Sequence, residues 1–211
     1  TIKKIPSKQW SSDEPLNFKP KFSTTVLLIL GLSLFGLGEG LLIVSTTGNS
    51  PWTVLAEGIS KITTLSIGAA TFFVSVFVLS LWFFLKQKPG IGTIMNIIIV
   101  AGMIDITIFF FDSPTTLYFK YFLAIVSGFI VGLGSGIYLI ANLGPGPRDG
   151  LMTGLTKKTN LPIALVRSFL EVSAVLIGWY LGGTVGIGTL IFAFGIGPTV
   201  ALGLYLVDKT F

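Results

Sequence analysis

Four ionisable side chains fall inside long apolar stretches: Glu39, Asp105, Arg167 and Glu171. Burying a charge in hydrocarbon costs roughly 3 kcal/mol or more, so each is a candidate for ligand binding or proton transfer. Arg167 and Glu171 stand four apart, a spacing that lets two side chains pair on one helix face. Glu39 sits close enough to the end of its apolar run to hydrogen-bond the following loop. Asp105 lies toward the same end, about 21 Å along its own helix at a rise of about 1.5 Å per residue. A further pair, Arg148-Asp149, follows a Gly-Pro-Gly-Pro run. The chain has no His and no Cys. That excludes thiol nucleophiles, disulfides, Cys/His zinc centres, His- or Cys-ligated haem and a Ser-His-Asp triad. No pairing of nucleophile and base is recognisable among the remaining Asp, Glu and Ser. The expectation is therefore a protein that is not an enzyme, with no cofactor and no metal.

The elements that must hold these groups follow from composition. Of 211 residues, 52% are hydrophobic and 11% charged, against about 25% charged in soluble domains. Mean hydropathy is +0.87. A soluble fold of this length leaves about a third of its potential surface wet and could not hide so much apolar area. Six stretches reach the ~20 residues needed to cross a ~30 Å hydrocarbon layer: 23–46, 66–85, 91–111, 121–142, 161–182 and 186–207. They do not alternate apolar and polar residues as the strands of a membrane barrel do, so strands are a poor alternative. Residues 1–22 form a basic tail, expected to be a solvated cytoplasmic arm, and the run behind it lacks a cleavage site and reads as a retained span. With the N-terminus inside, inside segments carry eleven Lys and Arg and outside segments only Lys61 and Lys120. That bias places both termini in the cytoplasm, and it accounts for the net charge of +5 without nucleic acid.

Shifted by 96 residues, the chain overlays itself with 19 identities over the 58 positions from Gly36 to Thr93. The matches fall on Gly, Pro and Thr: Gly48 with Gly144, Pro51 with Pro147, and Gly90, Gly92 and Thr93 with Gly186, Gly188 and Thr189. Each unit, 23–112 and 118–208, holds three spans. Three is odd, so the second unit must enter the membrane from the other side, as an inverted repeat. The fold class is thus all-α membrane, six transmembrane helices in two inverted three-helix repeats. Gly36, Gly40, Gly128, Gly132 and Gly136 put small residues four apart, a spacing for close packing within the chain or in a homodimer. Pro51 and Pro147 each open about ten residues of helical character, because Pro is tolerated in a helix's first turn. These short helices either lie along the interface, anchored by Trp52, or dip in as half-helices around a cavity. In the second case their N-termini favour an anion. None of the charges is duplicated. Glu39 overlays Ser135, Asp105 Ala201, Arg167 Thr71, Glu171 Ser75, and Arg148-Asp149 overlays Trp52-Thr53. Duplicated residues read as fold requirements and unduplicated charges as the site.

Gly-Asn-Ser-Pro-Trp-Thr-Val-Leu, Gly-Ile-Gly-Thr-Ile-Met-Asn, Gly-Pro-Gly-Pro-Arg-Asp-Gly-Leu-Met and Arg-Ser-Phe-Leu-Glu resemble segments of bacterial integral membrane proteins of the YczE/YitT type. The resemblance spans about residues 23–207. It implies a bacterial cytoplasmic membrane protein and marks Asp105, Arg148, Asp149, Arg167 and Glu171 as signature polar positions, without implying an activity. On these grounds the expected function is a small secondary transporter or channel for an anionic or zwitterionic solute. Arg148, Asp149, Arg167 and Glu171 bind the solute, and Asp105 or Glu39 carries a coupling ion or proton. The alternative is a non-catalytic subunit or assembly factor of a larger membrane complex. Expected partners are membrane lipid, the unidentified solute and a second copy or further membrane subunits.

Overall fold

A computed structural model describes residues 5–210, which form eight α-helices and, among the described residues, no strand. These are α1 (Phe22–Ser45), α2 (Pro51–Ile62), α3 (Ile67–Leu85), α4 (Ile91–Phe110), α5 (Leu117–Ala141), α6 (Pro147–Thr159), α7 (Ile163–Tyr180) and α8 (Ile187–Thr210). All except α2 and α6 are long and apolar enough to cross a membrane. Their bounds follow the apolar runs to within a few residues, because in lipid an unbroken helix is what satisfies every backbone group. The short helices do begin at Pro51 and Pro147, in the first turn where a missing N–H leaves no bond unmade.

The central pair is α1 and α5, the most buried of the long helices. They run antiparallel: Gly31 approaches Gly134 and Tyr138, whereas Gly38 approaches Ser127 and Val131. Flanking helices pack on this pair through residues that recur at a spacing of 96. Gly36 meets Met103 and Gly40 meets Thr107 between α1 and α4; Gly132 meets Thr199 and Gly136 meets Gly203 between α5 and α8. Four of the five spaced glycines therefore serve packing within the chain, and Gly128 faces open space. The short helices cross over: α2 packs on α7, and α6 on α3. Here the two units exchange large for small. Gly150 lies against the Trp82 ring, while at the equivalent places Val54 lies against Gly178.

The duplicated motifs are the joints between units. Gly48 and Gly144 have φ of +117° and +106°, a backbone that L side chains adopt only with strain. A Cβ on Gly48 would lie 2.5 Å from the Gly186 amide nitrogen, and one on Gly144 would lie 2.8 Å from Thr93 Oγ1. Gly92 N–H donates to Leu143 carbonyl at 2.7 Å, and Gly188 N–H donates to Thr47 carbonyl at 2.9 Å. Thr93 and Thr189 each accept from the amide three residues earlier at 3.2 Å, closing the first turns of α4 and α8.

Two further features bear on the site. The tail does not behave as a solvated arm. Trp10 is buried against α1, α5 and α8, Ser12 exchanges hydrogen bonds with Ala141 and Asn142, and Lys8 pairs with Asp208 at 3.0 Å. It folds across the end of the bundle that carries both termini, the tail end, because the indole finds apolar cover there. The second feature is an asymmetry. At the far end, α3 and α4 are pinned by Asp105, which accepts from Ser66 Oγ at 2.5 Å and from Gly68 N–H at 2.8 Å. The equivalent positions at the tail end are Pro162, Ala164 and Ala201, which cannot form that pin, and α7 and α8 scarcely touch.

Candidate functional site

A cavity of about 400 Å³ lies where the two short helices begin. Ser75, Val100, Glu171 and Ile196 line it from α3, α4, α7 and α8. Each is eight or nine residues from the start of its helix, about 12–14 Å along, so the cavity sits half-way through the bundle. Of the two placements open to the short helices, burial favours the one around a cavity: Pro51, Thr53 and Val54 of α2 and Pro147 and Gly150 of α6 are buried. Trp52 is no interfacial anchor, since it lines the cavity with its ring beneath Arg148 Cζ at 5.5 Å from the centroid.

Arg148 is the first free side chain of α6, thrown into the cavity because Pro147 starts the helix at its wall. Among the described residues no carboxylate lies within 4 Å of its guanidinium and no side-chain hydrogen bond reaches it. Contact with the Trp52 face offsets part of its lost hydration. Neither α2 nor α6 has a side-chain cap, so the first-turn N–H groups of both helices remain open beside this cation. Ser50 stands at the capping position of α2 but turns its hydroxyl to Glu39 Oε2 at 2.7 Å, and Thr53 donates to the same oxygen at 2.7 Å. Glu39 is 1% exposed, and its Oε1 is buried without a partner. Asp149 accepts from Tyr138 hydroxyl at 2.8 Å. Arg167 Nε donates to Glu171 at 2.8 Å on the α7 wall, where the arginine is about half exposed beside the gap between α7 and α8.

Five of the six charges singled out in the sequence thus meet in one cavity: Glu39, Arg148, Asp149, Arg167 and Glu171. Asp105 does not. Its carboxyl is directed at the start of α3, because Ser66 and Gly68 offer it donors there. Sequence reasoning missed three groups. The ring of Trp52 and the hydroxyl of Tyr138 complete the surroundings of Arg148 and Asp149. Glu57, on α2 outside the spans, binds Asn49 Nδ2, Thr184 N–H and hydroxyl, and Lys61, and so ties α2 to the loop before α8. Burial pushes the Glu57 carboxyl up, but the Lys61 ammonium and the Thr184 donors more than offset this and hold it below its usual value. Its four-residue spacing from Lys61 was the signal available.

Residues 22–204 match a protein family described as a family of unknown function (DUF6198). The chain is 38% identical over 208 residues to an uncharacterised protein of Haemophilus influenzae, covering 99% of this chain and 94% of that one. It is 28% identical over 184 residues to the uncharacterised membrane protein YczE of Bacillus subtilis, covering 87% of this chain and 83% of that protein. A further Bacillus subtilis relative, the uncharacterised protein YyaS, is 28% identical over 179 residues, covering 82% and 85%. No solved structure matches. The resemblance to YczE read from the motifs is borne out.

Proposed function

The chain belongs to the DUF6198 family of unknown function and is a multi-pass membrane protein; from its cavity we propose that it is a small secondary transporter for an anionic or zwitterionic solute. The observation that carries this reading is Arg148, a cation without a carboxylate partner among the described residues, held over Trp52 where two uncapped helix starts meet in a mid-depth cavity. Helix N-termini and an unpaired guanidinium both favour negative charge. Asp149 and the Arg167–Glu171 pair stand in the same cavity and suit the ammonium of a zwitterion. Glu39 is the coupling group. Two hydroxyls satisfy its Oε2, and its free Oε1 faces no donor, which leaves one oxygen for a proton or a cation. The work asked of these groups is binding and charge compensation, so the protein is a carrier and not an enzyme.

Alternating access then follows from an inverted repeat, the arrangement found around midplane sites in such carriers. Support comes from the antiparallel α1 and α5 and from contacts that recur at a spacing of 96. The far end is pinned at Asp105 and the tail end is open between α7 and α8. Exchanging these two arrangements between units carries the cavity from one side to the other. On the charge bias the tail end is cytoplasmic, in the inner membrane of a bacterium.

Purified protein in proteoliposomes loaded with a pH-sensitive dye tests this. A panel of monocarboxylates, amino acids and inorganic phosphate is offered outside. At least one should drive protein-dependent acidification of the lumen, as solute and proton enter together, that Arg148→Gln abolishes, while Glu39→Gln should keep solute exchange but lose the pH change. Silence across the panel, or normal flux in Arg148→Gln, refutes the reading.

A further inference from the structure

The cavity has two unlike walls. The charged groups come from α1, α6 and α7, whereas α8 contributes Phe192, Ile196, Gly197 and Val200, none of which is polar. Gly197 is exposed, and a Cβ there would meet nothing within 4 Å among the described residues, so the space beside α8 is open to the outside. This wall borders the gap where α7 and α8 scarcely touch, and the outer faces beside that gap carry exposed apolar side chains such as Phe169 and Phe194. The corresponding gap in the other unit is closed by the Asp105 pin. A cavity with a cation at one side, an apolar wall at the other and a slot into hydrocarbon has the polarity of an amphiphile.

Resting on the transport reading for its charged half, we propose that the cavity takes a single-chain amphiphile, with its anionic head at Arg148 and its alkyl chain along the α8 wall and out between α7 and α8. A small, fully hydrated anion would gain nothing from the α8 wall, whereas an alkyl chain passing from lipid into the slot keeps apolar surroundings throughout and needs no water-filled path. The head would exchange lipid-surface hydration for the guanidinium and the open N–H groups of α2 and α6. Selection then rests on both ends: charge at Arg148, chain at Gly197.

The test is photolabelling of the full chain in lipid nanodiscs by a dodecanoate carrying a diazirine on its chain, with labelled peptides located by mass. Label is expected on α8 between Phe192 and Val200. Arg148→Gln should lower it at least about tenfold, the size expected for loss of a charge-assisted contact. Gly197→Phe should remove the label by filling the slot, while Gly197→Ala, which adds one methyl to open space, should retain it and control for folding. Decanoate should compete and butyrate should not. Equal labelling in Gly197→Phe, or competition by butyrate as strong as by decanoate, overturns the proposal. So does a disulfide between two copies through Gly197→Cys in native membranes, since a second copy would then fill the slot. Labelling as expected without solute-driven flux in proteoliposomes would retain the amphiphile site and defeat transport. Flux of short anions untouched by Gly197→Phe would retain transport and defeat the amphiphile.

Discussion

The exchange of large for small between the units makes a prediction whose sign decides it. In one unit Gly150 receives the Trp82 ring; in the other Val54 stands at the place of Gly150 and Gly178 at that of Trp82. Gly150→Val puts a side chain where a Cβ would already lie 1.9 Å from the indole. The ring is rigid and held by its Nε1 donation to Pro147 carbonyl at 2.9 Å, so α6 must back away from α3. Overpacking costs about 1–3 kcal/mol, and a rigid ring puts this case near the upper value. Trp82→Gly empties a site that is 2% exposed. Loss of a buried Trp costs about 3–5 kcal/mol, glycine inside a helix adds about 1 kcal/mol, and the lost hydrogen bond about 1 kcal/mol. If the two sites acted independently, adding Gly150→Val to Trp82→Gly would cost a further ~3 kcal/mol, roughly 6–12 °C in Tm for a chain of this size. If the contact reproduces the Val54–Gly178 joint, the valine fills the void and returns about 1 kcal/mol, so the double variant melts roughly 2–4 °C above Trp82→Gly. Melting in mild detergent, followed by retention on gel filtration, reads this directly. A double variant that melts below Trp82→Gly refutes the equivalence of the two joints.

The remaining predictions concern the far end, the cavity and pH. Asp105→Asn removes the charge that Ser66 and Gly68 bind; a cost of about 1–3 kcal/mol and faster amide exchange at the start of α3 are expected, and unchanged exchange would show that the pin does not hold α3. Because the chain has no Cys, Ser75→Cys and Ser135→Cys can each be labelled alone; both should react with a membrane-impermeant maleimide, whereas Ala124→Cys, buried outside the cavity, should not. Equal reactivity at all three would contradict the cavity. Glu57 is held below its usual value, so its contribution to stability is complete above about pH 4.5 and is lost as pH falls through its lower folded value. Acid melting curves should show this loss, and Glu57→Gln should flatten them in that range.

Much of this architecture is written openly in the chain, and the reasons differ by level. The long helices were legible because lipid demands unbroken apolar runs, and Pro51 and Pro147 were legible because proline has one comfortable place in a helix. Glu39, Arg167 and Glu171 stood out because charge is rare in such runs, and Arg148 because its place in the other repeat is held by an uncharged Trp52. Their partners did not stand out. Trp52 and Arg148 touch although 96 residues separate them, and nothing local marks either for the other. Asp105 looked like a site residue for the same reason as Glu39; only the position of Ser66, just before a neighbouring helix, assigns it to packing. The short helices were compatible with two placements because their own composition is indifferent, and contacts with α3 and α7 decide between them. Trp10 was hidden among lysines, whose charge speaks for solvent while one indole binds the tail to α1 and α5.

Trp52 and Arg148 occupy the same station in two halves of one polypeptide. Two identical halves would set like against like there: two guanidiniums that repel, or two indoles with no charge at all. In a single chain the two stations need not be alike. One half keeps the aromatic floor and the other supplies the cation, so the centre of a near-symmetric scaffold can hold something that has a head and a tail.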